Sequence, residues 1–172
     1  IENTQIFSDA TVNTVILTFS KNKQKNSNAL IVNSEFNEID FNDFISKNYP
    51  DTFFLSQEDG KVIGHIFGPT FNKRYIEDEL YFENHPNQKD DRYQMVLSLA
   101  VLPEYRKQGV ATKLIEAMTQ EARKQNRQAI SLTCLPKLIK FYEKRGFHNE
   151  GKTSDDIPDP TGVTSVNMIR AL

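Results

Sequence analysis

Apolar and polar positions follow two different periods along this chain, and one stretch carries both in succession. From Met95 to Leu102 the residues form a nearly unbroken apolar run of strand length, the pattern of a strand buried on both faces. Pro103 has no N–H to give to a ladder and closes the strand. A short polar loop, Glu104 to Gln108, leads to Gly109. Beyond it Ala111, Leu114, Ile115, Met118 and Ala122 recur at helical spacing, which predicts an amphipathic helix. The stretch from Gln94 to Ala122 therefore reads as buried strand, basic glycine-bearing loop and helix start.

The rest of the chain arranges itself around that unit. Thr4 to Phe7 reads as a short strand. Ser8 and Asp9 offer N-cap oxygens to a helix from Ser8 to Ser20, in which Val12, Val15, Ile16 and Phe19 fall at helical spacing. Lys21 to Asn28 is a polar basic loop, and Ala29 to Val32 is too short to assign. Asp40 reads as the N-cap of a helix carrying Phe41, Phe44 and Ile45 that ends at Pro50. Thr52 to Gln57 and Lys61 to Phe67 flank Asp59-Gly60, a strong hairpin signal, and Gly68-Pro69 ends the second strand. Phe71 to Arg92 is polar and acidic without hydrophobic periodicity, and two readings stand for it: an ordered functional loop or a solvated mobile one.

Downstream, Ala129 to Cys134 is the next strand. Leu135-Pro136 opens a helix whose apolar side carries Leu138, Ile139, Phe141 and Tyr142, and Gly146 ends it. Phe147 to Glu150 begins a strand, Lys152 to Gly162 is a turn-rich insert, and Val163 to Ile169 alternates as a last strand. Strands on both sides of a βαβ unit, with helices between, predict an α/β (α+β) domain. No boundary divides residues 1–172, so a single domain is expected.

Composition narrows the function classes. Hydrophobic residues make 38% and charged residues 26% of the 172 positions, within the range of soluble globular domains. A net charge of −2 gives no global basic field for nucleic acid or an anionic membrane. The single cysteine, Cys134, excludes an internal disulfide and fits a reducing compartment. No apolar run reaches the roughly 20 residues of a membrane helix, and no basic-then-apolar leader pattern opens the chain. A soluble cytoplasmic protein without membrane or nucleic-acid partners, monomeric or homodimeric, is the expectation.

Candidate chemistry centres on the loop. A helix start leaves its first N–H groups unpaired and carries partial positive charge. Gly109 lets a phosphate approach those donors, and Arg106 and Lys107 add cationic charge. The spacing Arg106-x-x-Gly109-x-Ala111 is neither a Walker loop nor a dinucleotide fingerprint. An anion cradle and an ordinary strand-to-helix turn both fit these residues. Cys134 ends an apolar strand and reads as buried rather than nucleophilic, and no His/Cys cluster has metal-ligand spacing.

Val101 to Ala111, reading VLPEYRKQGVA, resembles the acyl-CoA-binding signature of the GNAT superfamily of N-acetyltransferases. A second segment, Phe141-Tyr142-Glu143-Lys144-Arg145-Gly146-Phe147, resembles that superfamily's later motif and stands in the required order. Within the superfamily, Ser98-Leu99-Ala100-Val101 and Cys134 through His148 are most similar to the arylalkylamine, serotonin-acetylating type. The resemblance implies a GNAT-like domain: a mixed, mostly antiparallel sheet with a central splayed parallel strand pair, flanked by helices. It implies acetyl-CoA as cosubstrate and no metal. The cosubstrate would be held by Leu99, Ala100 and Val101 on the strand and by Arg106, Lys107, Gln108, Gly109, Val110, Ala111 and Thr112 around the helix start. The acceptor implied is a small primary amine.

Acetyl transfer makes three demands: a neutral amine, donors for the charge forming on the thioester oxygen, and a proton for the leaving thiolate. The resemblance assigns the second to backbone N–H groups from Leu99 to Val101 and the third to Tyr142, whose phenol stays protonated at neutral pH. The first has no evident owner. The arylalkylamine type places two histidines where this chain has Met95 and Leu97. Of the remaining histidines, His65 is expected to be structural or at the surface and His148 to pack; a carboxylate between Glu77 and Glu83, or a water chain, would have to substitute. By position the segment before the central strand lies on the acceptor side, where its acidity would attract a cationic amine. Phe36, Phe41 and Phe44 are pocket walls or ordinary core. A protein or peptide acceptor and a non-catalytic CoA-binding domain are the competing readings.

Overall fold

A computed structural model describes residues 49, 51–82, 85–153 and 163–172, together with short strands at 17–18, 30–32 and 38–40. Those three strands, β1 (Leu17–Thr18), β2 (Leu30–Val32) and β3 (Glu38–Asp40), form a small antiparallel sheet. Leu17 and Thr18 therefore do not continue the helix expected from Ser8 to Ser20. The stretch is rich in Val, Ile and Thr, whose branched side chains favour strands. Asp40 pairs with Leu30 as the last residue of β3. The helix expected after it, Phe36, Phe41, Phe44, the first strand at 4–7, the basic loop 21–28 and most of the insert at 152–162 lie outside the described residues.

The remaining strands form two sheets. One holds β4 (Phe53–Glu58), β5 (Lys61–Phe67) and β8 (Ser98–Val101). The other has the order β10-β11-β9-β7-β6, from β6 (Thr70–Phe71), β7 (Tyr93–Val96), β9 (Ala129–Cys134), β10 (His148–Lys152) and β11 (Val166–Ala171). β4 and β5 make the expected hairpin around Asp59 and Gly60, both at positive φ. Among the described residues all pairings are antiparallel except β7 with β9, which run parallel. Three α-helices among the described residues accompany them: α1 (Glu79–Phe82), α2 (Val110–Lys124) and α3 (Ile139–Glu143).

β7 and β8 are one apolar run divided between two sheets. The division falls at Leu97. Leu97 donates its N–H to the Phe67 carbonyl at 2.9 Å, and Ser98 is the register partner of the same Phe67. Two residues opposing one is a β-bulge, which bends the strand and resets its alternation. Val96, Leu99 and Val101 accordingly belong to the cluster under α2, whereas Met95 and Leu97 belong to the cluster on the opposite side. Two features hold the bend. A Cβ on Gly68 would lie 2.2 Å from the Met95 carbonyl oxygen, so only glycine lets the two backbones pass. The buried Gln94 amide donates to the carbonyls of Gly68 (2.8 Å), Pro69 (3.2 Å) and Met95 (2.8 Å), tying the two backbones together where the strand bends. The run is fully buried only over β7; β8 is half-buried up to Ala100.

The acidic stretch from Phe71 to Arg92 makes specific contacts where it is described. Asp91, nearly buried, accepts from Thr70 Oγ1 (2.5 Å) and the Gln88 N–H (3.0 Å). Arg127 donates to the carbonyls of Gln88, Lys89 and Asp91. Arg74 and Tyr75 grip Glu150 on β10 with three hydrogen bonds. Phe71, Ile76 and Leu80 then pack over Tyr93, Met95, Ala129 and Ile169. These few apolar anchors are spaced too irregularly to register as a period. No helix among the described residues is long and apolar enough to cross a membrane.

Candidate active site

The site begins where β7 and β9 part. Their parallel register runs from Tyr93 beside Ala129 to Val96 beside Leu132 and then stops. β9 continues through Thr133 and Cys134, while β8 swings to β5, pairing Ser98 with Phe67 through Val101 with Gly64. Leu102 donates to the Ile63 carbonyl at 2.9 Å. Antiparallel bonding alternates, so Ala100 is bonded to His65, and the N–H groups of Leu99 and Val101 turn away from β5 toward the gap that β9 leaves. A wedge opens between β8 and the end of β9, with backbone donors on one wall.

The basic loop stands at the wedge's end. Gly109 caps α2 with φ at +85°, and no side-chain oxygen caps the helix. The first helical bond runs from the Lys113 N–H to the Gly109 carbonyl, 3.0 Å, so the N–H groups of Val110, Ala111 and Thr112 precede the ladder. A Cβ on Gly109 would meet nothing within 4 Å. Glycine is required there by its left-handed backbone, and the space before the helix start is open to an anion. Lys107 is exposed beside it, at φ +63°. Arg106, exposed in the same loop, donates from its Nε to the Val101 carbonyl at 3.1 Å, which ties the loop to the end of β8. Gln108 likewise turns its amide to the Glu104 carbonyl, 2.8 Å.

Tyr142 rises from α3 on the α2 side. Its ring stacks edge-on against Phe141 (5.0 Å) and Phe147 (5.6 Å) and is 8% exposed. Burial pushes its phenol well above the ordinary range, and the neighbouring Cys134 thiol adds to the shift. A group so shifted stays protonated at neutral pH and can only donate. Cys134 is buried and burial pushes its thiol up to about 11, which makes it a poor nucleophile. Arg145, which the sequence reading passed over, ties this helix to the loop. It donates to Thr112 Oγ1 from Nε (3.0 Å) and Nη2 (2.8 Å), and lies 3.6 Å from the Phe141 ring centroid. Its place inside the second motif was the available signal.

The face away from α2 carries different groups. Met95 is fully buried, and with Leu97 it packs beneath the α1 segment. No proton acceptor stands at either position. Glu77 and Glu79 are paired with Lys73. His65 is neither exposed nor merely packed: its Nε2 lies 2.8 Å from Ser98 Oγ and its ring is stacked on Phe53. Burial lowers its imidazole to about 4. Tyr81 is buried enough that its phenol is raised above the ordinary range, with the Thr133 side chain acting in the opposite direction. His148, expected to pack, is exposed; Phe147 takes the buried place before it.

A splayed parallel strand pair, backbone donors in the gap and an uncapped helix start thus stand together on one side of the sheet's parting. The sequence matches the acetyltransferase (GNAT) family over residues 21–147. The chain belongs to that family. Among solved structures, the loading GNATL domain of CurA from Lyngbya majuscula superposes with a TM-score of 0.62 at 15% identity, covering 81% of this chain and 87% of that one. Ard1 from Thermoplasma volcanium gives 0.58 at 20% identity, covering 77% and 78%. The ribosomal-protein-S18-alanine N-acetyltransferase from Escherichia coli gives 0.53 at 17%, covering 78% of each chain. At these identities the likeness is one of fold. No curated protein matches the chain.

Proposed function

We propose that this protein transfers the acetyl group of acetyl-CoA to a small primary amine by direct attack. The observation that carries the reading is the parting of β8 from β9, with the Leu99 and Val101 N–H groups facing the gap and the uncapped start of α2 beyond it. In this reading the pyrophosphate lies on the N–H groups of Val110, Ala111 and Thr112, beside Lys107. Ala100 bonds to β5 and keeps its neighbours' donors aimed at the thioester oxygen, where they stabilise the charge that forms. Tyr142 gives its proton to the departing thiolate. An alkylamine with pKa near 10.4 is reactive in only about one molecule in 10³ at neutral pH, so its proton needs a path away. Met95 and Leu97 provide none, so the two histidines of the arylalkylamine type have no counterpart at those positions.

Thiol release from acetyl-CoA, measured against arylalkylamines, polyamines and short peptides, tests the reading. Turnover on small amines is expected. Turnover on peptides alone would move the acceptor to a protein, and CoA binding without any thiol release would leave a binding domain in place of an enzyme.

A further inference from the structure

We propose that Ser98 and His65 form the proton-accepting pair for the attacking amine, at the mouth of the wedge on the face away from α2. The inference rests on the acetyltransfer reading above. The bulge at Leu97 is what creates the arrangement. By resetting the alternation it puts Leu97 and then Ser98 on the same face, so the first residue of β8 carries a hydroxyl where the strands part. Ser98 is half-buried and reaches the opening, while His65 behind it is 7% exposed and sits 2.8 Å away. The stacked Phe53 ring, 6.2 Å between centroids at 1° interplanar angle, fixes the imidazole plane. Thr133, on the β9 arm past the last parallel pair at Leu132, is the half-buried hydroxyl residue of the other strand end.

With the imidazole proton on Nδ1, Nε2 accepts from the Ser98 hydroxyl. As the amine nitrogen bonds to the thioester carbon, the carbonyl π pair moves onto oxygen. The N–H proton passes to Ser98 Oγ and the Ser98 proton to His65 Nε2. The C–S bond then breaks, the oxygen pair returns to the carbonyl, and the thiolate takes the Tyr142 proton. Imidazolium releases a proton to water and tyrosinate takes one from water, which restores both. His65 is neutral at pH 7 and thus always able to accept. Bonding to carbon makes the nitrogen's proton more acidic than that of the free alkylammonium ion, and collapse of the adduct with loss of thiolate draws the transfer forward. In this scheme Ser98 touches the substrate and His65 is a positioning and relay residue.

The test compares wild type with His65→Gln, which keeps a polar partner for Ser98 but cannot relay a proton, and with Ser98→Ala. Thiol release from acetyl-CoA is measured with alkylamines and with weakly basic anilines, alongside a CoA titration. A loss of about 10²-fold in kcat on alkylamines, smaller on anilines, with the CoA dissociation constant within two-fold of wild type, is the expected result. Turnover within three-fold of wild type in both variants overturns the pair. So does a loss equal on every amine and matched by weakened CoA binding, which marks a structural role. A wild type that releases no thiol with any amine or with water overturns the acetyltransfer reading itself and the pair with it.

Discussion

The Arg145 guanidinium donates two hydrogen bonds to the Thr112 hydroxyl, at 3.0 Å and 2.8 Å, and so joins the helix that carries Tyr142 to the first turn of α2. The two segments that resemble family motifs are therefore mechanically connected, not merely near each other. Arg145→Ala releases that connection and leaves the Thr112 hydroxyl without its donor. A hydrogen bond to a charged group contributes about 1.5–3 kcal/mol. We expect CoA affinity to fall roughly tenfold or more, since 1.4 kcal/mol is about tenfold. Unchanged affinity by calorimetry would mean that the loop holds its shape without Arg145.

Gly68→Ala attacks the bend that opens the wedge. The added carbon would lie 2.2 Å from the Met95 carbonyl oxygen and 3.0 Å from the Leu97 nitrogen. Backbone must move to make room, at the site that Gln94 already holds. Destabilisation of about 3 kcal/mol or more is expected by denaturant titration, in the range of core overpacking and strain. A variant as stable as wild type would show that the crossing is loose.

Tyr142→Phe keeps the ring and its contacts with Phe141 and Phe147 while removing the proton donor. We expect kcat to fall about 10²-fold with CoA affinity unchanged. Equal turnover on a good acceptor would remove Tyr142 as the acid.

Acid stability reads out the burial of His65. Its folded value of about 4 lies below the ordinary 6.5. Between those values the unfolded chain binds more protons, so stability rises with pH across the window and is lost as pH falls through it. The full difference is on the order of 3 kcal/mol. His65→Gln should flatten the dependence of unfolding free energy on pH between about 6.5 and 4. The same slope in both proteins would mean that the imidazole is not held neutral.

Much of the fold was legible in the sequence. The hairpin around Asp59-Gly60, the strand at 129–134, the helix from Val110 and the turn at Gly146 all stand where local chemistry put them, because each rests on a pattern contained within a few residues. The bulge at Leu97 was hidden, since an apolar run looks the same whether or not its alternation slips by one. The cover formed by the described parts of 71–92 was hidden too, held by pairs far apart in sequence such as Arg74 with Glu150 and Arg127 with the Asp91 carbonyl. The bond from Arg106 Nε to the Val101 carbonyl, five residues back, has no signature in the charge pattern of the loop. His65 was discounted because its partner, Ser98, is 33 positions away and meets it only once β8 joins β5.

Acyl-CoA binding at the wedge is the claim on which the rest depends, and a calorimetric titration of CoA into wild type and Gly109→Glu tests it most directly. The substitution puts a carboxylate and a strained backbone at the start of α2, in open space where no neighbour is crushed. Saturable one-site binding by wild type and none by the variant, with both folded by circular dichroism, is the predicted result. Equal affinity in the two proteins would contradict it.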